Sequence, residues 1–210
     1  MKLPEQIAQM KIIAIVRGVY GKDCLTLAEA LYEGGIRFLE VAFEPGKLSG
    51  TQQAIRQLSV AMEGRVCIGA GTVSDMRTFA LARQAGAKFI ISPNFDRDVI
   101  RATKDADLVS IPGAMTPSEI FSAYETGADF VKVFPASVLG PAYIKAVLGP
   151  FPYIPLMAVG GVDENNMIDF LKAGVAGFGI GGNLVNKTWI REGDFDKITT
   201  LARTMCDRVR

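Results

Sequence analysis

Lys132 is the only charge in the segment Phe130-Val131-Lys132-Val133-Phe134-Pro135. An amine walled in by apolar residues holds its proton poorly, and the free amine is the form that attacks a carbonyl. A second lone charge, Glu40, lies within Phe38-Leu39-Glu40-Val41-Ala42-Phe43. Burial raises a carboxyl pKa toward neutrality and suits the group to proton transfer. Each has a plainer reading: a strand-end lysine can snorkel to water, and a buried glutamate can simply pair with a buried cation. For Glu40 the two readings weigh equally on residue types alone.

Binding chemistry is written in four other places. Arg17 closes Ile12-Ile13-Ala14-Ile15-Val16-Arg17, where a guanidinium could clamp a carboxylate with two hydrogen bonds. Taken alone, its place at a strand end fits a solvated rim charge better. Val159-Gly160-Gly161-Val162 and Gly179-Ile180-Gly181-Gly182-Asn183 are turns whose bare amides could cradle a phosphate, or could merely allow tight packing. Thr72, after Gly69-Ala70-Gly71, could donate to a substrate oxygen, and Ser92-Pro93-Asn94 holds an equivalent place one strand later. Met157 and the strand phenylalanines read as core, with Phe134 set apart because it adjoins Lys132.

The elements that must position these residues recur with a period. Short apolar runs occupy Ile12–Val16, Phe38–Phe43, Val66–Gly71, Phe89–Ser92, Leu108–Pro112, Phe130–Phe134, Leu156–Val159 and Gly177–Gly181. Continuous apolar runs of this length suit strands buried on both faces of a parallel sheet. Helical spacing marks Asp23–Glu33, Gly50–Met62, Asp75–Gln84, Pro117–Glu125, Glu164–Lys172 and Asp194–Arg208. Ser74-Asp75 and Thr116-Pro117 read as helix starts, and Gly34, Gly86, Gly127 and Gly174 as left-handed stops. An open doubly wound sheet would show the same alternation, but the count of eight strands favours an α/β (β/α)8 TIM barrel. Residues 1–10 read as a short N-terminal helix closing its bottom. No linker or low-complexity stretch divides the chain, so residues 1–210 are expected to form one domain. In such barrels the site lies at the carboxyl ends of the strands.

Composition removes several function classes. The chain has no histidine, so a Ser-His-Asp triad and a His-ligated metal site are both excluded. A net charge of +1, with Lys and Arg scattered, gives no footprint for nucleic acid or an anionic membrane. No apolar stretch approaches the length of a membrane span, and the N-terminus lacks a signal-peptide core. Cys24, Cys67 and Cys206 are odd in number and far apart, which points to a reducing compartment and so to the cytoplasm.

The chain resembles the 2-keto-4-hydroxyglutarate / 2-keto-3-deoxy-6-phosphogluconate (KHG/KDPG) aldolases, small class I aldolases of bacteria. The resemblance runs from Ile13 to about Val185 on Leu39-Glu40-Val41, Gly69-Ala70-Gly71-Thr72-Val73, Ile91-Ser92-Pro93, Pro112-Gly113-Ala114-Met115-Thr116-Pro117, Val131-Lys132-Val133-Phe134-Pro135, Gly140-Pro141-Ala142-Tyr143-Ile144-Lys145-Ala146 and Gly160-Gly161-Val162. It implies a trimeric barrel that binds a small 2-keto-3-deoxy sugar acid phosphate and needs no metal or organic cofactor. Lys132 would be the Schiff-base lysine and Glu40 the proton shuttle. Arg17 and Thr72 would bind the pyruvyl carboxylate, with Pro93 and Phe134 shaping the pocket. Gly160, Gly161, Gly181, Gly182 and Asn183 would hold the phosphate.

Two departures from the family bear on substrate. Some relatives carry an arginine shortly after the strand-two glutamate, where this chain reads Ala42-Phe43-Glu44-Pro45. Gluconate-type members carry Thr where this chain has Val159, the residue of galactonate-type members. Two other functions compete with the aldolase: a phosphate-binding barrel isomerase or epimerase, and a non-catalytic sugar-phosphate binding protein.

Overall fold

The computed structural model describes residues 1–210. Strands and helices alternate along it. The strands are β1 (Ile12–Val16), β2 (Phe38–Ala42), β3 (Cys67–Gly71), β4 (Phe89–Ile91), β5 (Val109–Ile111, resumed as Gly113–Ala114), β6 (Val131–Val133), β7 (Leu156–Val159) and β8 (Gly177–Ile180). Every pairing is parallel, and β1 bonds both β2 and β8. The first half of β5 pairs with β4 and its second half with β6, which closes the ring into an eight-stave barrel. Pro112, which has no amide hydrogen, stands at the break in β5.

The helices are α1 (Leu3–Met10), α2 (Gly21–Glu33), α3 (Leu48–Ala61), α4 (Met76–Gln84), α5 (Arg97–Asp105), α6 (Pro117–Glu125), α7 (Ala136–Leu148), α8 (Met167–Ala173), α9 (Lys187–Glu192) and α10 (Phe195–Val209). The Asp75 carboxylate accepts from the Thr78 amide at 2.7 Å and caps α4. Thr116 caps α6, with Pro117 in its first turn. Three helices lie where spacing alone does not mark them: α5, α7 and α9. In α7 the pair Gly140-Pro141 breaks the helical pattern, with Gly140 at φ 77°.

Gly86, Gly127 and Gly174 take the left-handed turn expected of them. Gly34 does not: its φ is −76°, and Gly35 at φ 101° makes the turn instead. Gly34 answers a different need. A Cβ there would stand 2.4 Å from the Ala202 Cβ, so glycine lets α2 pack against α10.

Two apolar bodies lie on either side of the sheet. The larger fills the space between strands and outer helices. The smaller fills the lumen and contains Ile13, Phe38, Phe89, Ile91, Val109, Ile111, Phe130, Met157 and Val159. Ile7 of α1 belongs to this second group, so the N-terminal helix stoppers the lumen from below. Alternate residues of a strand point to the same side. Stepping by two from the lumen residues therefore climbs the barrel: Phe38 to Glu40, Phe130 to Lys132, Met157 to Val159, and Ile13 to Ile15 and Arg17.

Candidate active site

That climb brings Glu40 and Lys132 into the upper lumen, 1% and 7% exposed. They line one cavity of about 300 Å³. Arg17, Thr72, Pro93, Phe134, Val159, Gly160, Gly161, Gly181, Gly182 and Asn183 line the same cavity. The residues given a site role from the sequence are thus brought to one place, at the carboxyl ends of the strands, although of Ser92-Pro93-Asn94 only Pro93 lines the cavity.

The two charges are close enough to feel each other and yet not bonded. Neither takes part in an ion pair, and Glu40 Oε2 has no hydrogen-bond partner. Burial pushes the Glu40 carboxyl up from 4.5 to about 7, outweighing the pull of Lys132 and Arg17 in the other direction. Burial likewise lowers the Lys132 ammonium pKa, with Arg17 adding and Glu40 opposing. Both shifts favour the uncharged forms, because removal from water costs an ion more than a partner beyond bonding distance returns. Lys132 Nζ also lies 4.9 Å from the centre of the Phe134 ring.

Room for the carboxyl group is made by Gly71. A Cβ on Gly71 would stand 2.2 Å from Glu40 Oε1, so any other residue there would push the carboxyl group out of its place. Gly69, two residues lower on the same stave, makes room for the Phe89 ring in the same way, at 2.2 Å. Residue types alone gave neither glycine a role. Their i, i+2 spacing on a strand carried the signal, since it places both on the lumen side.

Arg17 is exposed at the rim, and its Nη2 donates to Thr72 Oγ1 at 2.9 Å. Thr72 holds φ 56°, a left-handed conformation that costs a β-branched residue about 1–3 kcal/mol. The strained turn fixes the hydroxyl beside the guanidinium, over the mouth of the cavity.

The two glycine turns line the same cavity, and Gly181-Gly182-Asn183 follows the strand that pairs with the strand leading into Arg17. The amides of Gly160, Gly161, Val162, Gly181, Gly182 and Asn183 donate to no backbone carbonyl. Gly160 and Gly161 need glycine for their own geometry, with φ of 94° and 72°, and the Ser137 Oγ lies 2.2 Å from where a Gly161 Cβ would be. Gly181 and Gly182 need it for neither reason. Their φ values are ordinary, a Cβ on Gly181 would find its nearest neighbour at 3.8 Å, and one on Gly182 would meet nothing. The space above these two amides is kept clear without any demand from the fold. Asn183 has a further part: its side-chain amide donates to the Val162 carbonyl at 2.9 Å and ties one turn to the other.

Other parts of the molecule lack this chemistry. A larger hollow of about 490 Å³ opens at the opposite end of the barrel, around Met10, Arg37, Phe38, Cys67 and Lys88. Burial pushes its Cys67 thiol up to about 11, away from the reactive thiolate, and its Arg65 is held charged by a hydrogen bond to Glu29. No three His, Cys, Asp or Glu side chains are grouped to hold a metal ion. No helix is long and apolar enough to cross a membrane.

Comparison with known proteins agrees with the geometry. The family model described as KDPG and KHG aldolase matches residues 3–201. A 2-dehydro-3-deoxy-phosphogluconate aldolase of Pseudomonas aeruginosa is 36% identical over 95% of this chain and 90% of its own. A 2-dehydro-3-deoxy-6-phosphogalactonate aldolase of Escherichia coli is 36% identical over 84% of this chain and 85% of its own. Among solved structures, the KDPG aldolase of Legionella pneumophila, with pyruvate captured at low pH as a covalent carbinolamine, aligns with a TM-score of 0.88. It is 30% identical and covers 97% of this chain and 98% of that one.

Proposed function

The chain belongs to the KDPG and KHG aldolase family, and from that premise we propose how its own residues carry out the cleavage. It is a lyase that splits a 2-keto-3-deoxy-6-phospho sugar acid, the gluconate or its galactonate epimer, to pyruvate and glyceraldehyde 3-phosphate. Cleavage of 4-hydroxy-2-oxoglutarate to pyruvate and glyoxylate is the same chemistry on a shorter substrate. One observation carries the residue assignment: Lys132 and Glu40 are buried side by side in the upper lumen, unpaired, both displaced toward their neutral forms.

Lys132 Nζ attacks the C2 ketone and water leaves, giving an iminium. The cation draws electrons from the C3–C4 bond. Glu40, ionised and acting through a water, takes the C4 hydroxyl proton as that bond breaks and the aldehyde departs. It then returns the proton to C3 of the enamine, and hydrolysis frees pyruvate and the amine. Arg17 and Thr72 hold the carboxylate of the pyruvyl end, with Pro93 and Phe134 as walls. The free amides of Gly160, Gly161, Gly181, Gly182 and Asn183 receive the phosphate, and Val159 lies along the middle of the substrate.

The active unit is read as a homotrimer of one-domain chains. Phe121, Phe151 and Tyr153 form an aromatic group on the outer surface, and Phe121 and Tyr153 are 38% and 54% exposed. Covering such a group with a second copy would remove apolar area from water. The free thiols of Cys24, Cys67 and Cys206 support a cytoplasmic home.

Incubation with pyruvate and borohydride tests the nucleophile. One reduced pyruvyl group should be added per chain, at Lys132. Lys132→Ala should abolish both labelling and cleavage while the barrel stays folded. Labelling at another lysine, or none, removes the mechanism and revives the isomerase and binding-protein readings.

A further inference from the structure

The phosphate side of the cavity opens into a second hollow of about 400 Å³, whose lining includes Arg17, Gly181, Gly182, Asn186, Lys187 and Thr188. Arg17, Gly181 and Gly182 are shared with the main cavity, so the two spaces adjoin. The lining of this second hollow holds two cations and no carboxylate.

Lys187 reaches this place across the end of β1. Its Nζ lies 3.3 Å from where a Cβ on Gly18 would stand, and the Glu44 carboxylate oxygens lie 3.2 and 3.3 Å from the same point. Gly18 has φ 70°, so glycine there both makes the turn and leaves the space that the ammonium needs. Lys187 belongs to none of the chain's four ion pairs. Glu44, in the stretch that departs from the family pattern, is not bonded to Lys187: the Tyr20 hydroxyl donates to it at 2.7 Å, and that bond, with the nearby charges of Lys47 and Lys187, holds its carboxyl below the usual carboxylate range.

Charge counting then gives Lys187 a partner. The substrate carries an anion at each end. Arg17 borders both spaces, and its hydrogen bond to Thr72 turns the guanidinium toward the end where the aldolase reading puts the carboxylate. Lys132 must be uncharged to react. The glycine turns offer neutral amides to a dianion and no cation. Among the residues lining the two adjoining spaces, Lys187 is the remaining positive charge.

Resting on the aldolase reading above, we propose that Lys187 contacts the terminal phosphate together with the Gly181-Gly182 amides, and sets the preference for phosphorylated over unphosphorylated 2-keto-3-deoxy sugar acids. Binding would bring the ammonium from the Gly18 position to the phosphate, a short swing for a flexible lysine.

The test compares Lys187→Met and Lys187→Arg on the 6-phosphate and on the same acid without phosphate, with pyruvate trapping measured on every protein. Lys187→Met should raise KM for the 6-phosphate by about ten- to a hundredfold, the worth of one charge-assisted hydrogen bond, with kcat nearly kept. KM for the unphosphorylated acid should hardly move. The salt sensitivity of KM on the 6-phosphate should fall in the Met variant, and Lys187→Arg should recover most of the loss. An unmoved KM on the 6-phosphate, or equal losses on both substrates, overturns the role of Lys187. Failure of the unaltered chain to trap pyruvate at Lys132 overturns the aldolase mechanism instead, so the two failures are told apart.

Discussion

The lower and upper halves of the lumen are made by the same strands two residues apart, and they are opposite in kind. Below, Phe38 and Phe89 meet edge to face with centroids 6.3 Å apart, and Phe130, Met157 and Ile7 fill the remainder. Above, Glu40 and Lys132 replace the aromatic side chains of their own strands, and Gly71 and Gly181 leave space beside them. The lower half is filled like any close-packed core. It forms the dry floor that makes the upper half expensive for charges, and so displaces the Lys132 amine and the Glu40 carboxyl toward their neutral forms. The large residue under each functional one is therefore part of how the site works.

Breaking the upper half at Glu40 should have the largest effect. Glu40→Gln should lower kcat by about a hundred- to ten-thousandfold, the usual worth of a positioned proton transfer. In the unaltered enzyme kcat/KM should rise as pH passes through about 7, where the carboxyl ionises, and this limb should vanish in the variant. The stability sign is opposite. With a folded pKa raised from 4.5 to about 7, Glu40 contributes stability that is present at low pH and lost as pH rises through about 7. The Gln variant should accordingly gain thermal stability relative to the parent above that pH. Glu40 also raises the Lys132 pKa, so removing its charge should shift the pyruvate-trapping profile to lower pH. A variant that cleaves at near the parent rate would make Glu40 merely structural.

Breaking the lower half should separate stability from chemistry. Phe89 is wholly buried, and Phe89→Ala should cost about 3–5 kcal/mol of unfolding free energy in a denaturant titration. The fraction that remains folded should keep kcat within a few-fold. A collapse of kcat in correctly folded protein would show that the floor reaches the chemistry directly.

Gly181→Val sharpens the comparison within the upper half. A Cβ there meets its nearest neighbour at an ordinary 3.8 Å, so the fold should tolerate the change. The phosphate should not, and kcat/KM for the 6-phosphate should drop about a hundredfold through lost amide contacts. Cleavage of 4-hydroxy-2-oxoglutarate, which has no phosphate, is the control. Equal losses on both substrates would mean misfolding.

The smallest expected effect concerns Val159, where the two halves meet. It packs with the lumen core and lines the cavity as well. Val159→Thr keeps the shape and adds a hydroxyl. The ratio of kcat/KM on the gluconate and galactonate 6-phosphates should move toward gluconate by about tenfold, the value of one ordinary hydrogen bond. A ratio that does not move would pass stereochemical choice to the Phe43-Glu44-Pro45 turn.

Much of this was legible in the residue order. A lone charge in an apolar run marks Lys132 and Glu40, and the eight runs themselves announce the barrel because strands buried on both faces must be apolar throughout. What order could not supply is direction and distance. Glycine is written alike whether it turns the chain, as Gly35 does, admits a neighbouring helix, as Gly34 does, yields to a carboxylate, as Gly71 does, or keeps clear space, as Gly182 does. Residue type limits what each position can do. Closure of the ring decides what it does, because it alone brings Arg17, Glu40, Lys132 and Gly181 to one mouth and takes water away from two of them.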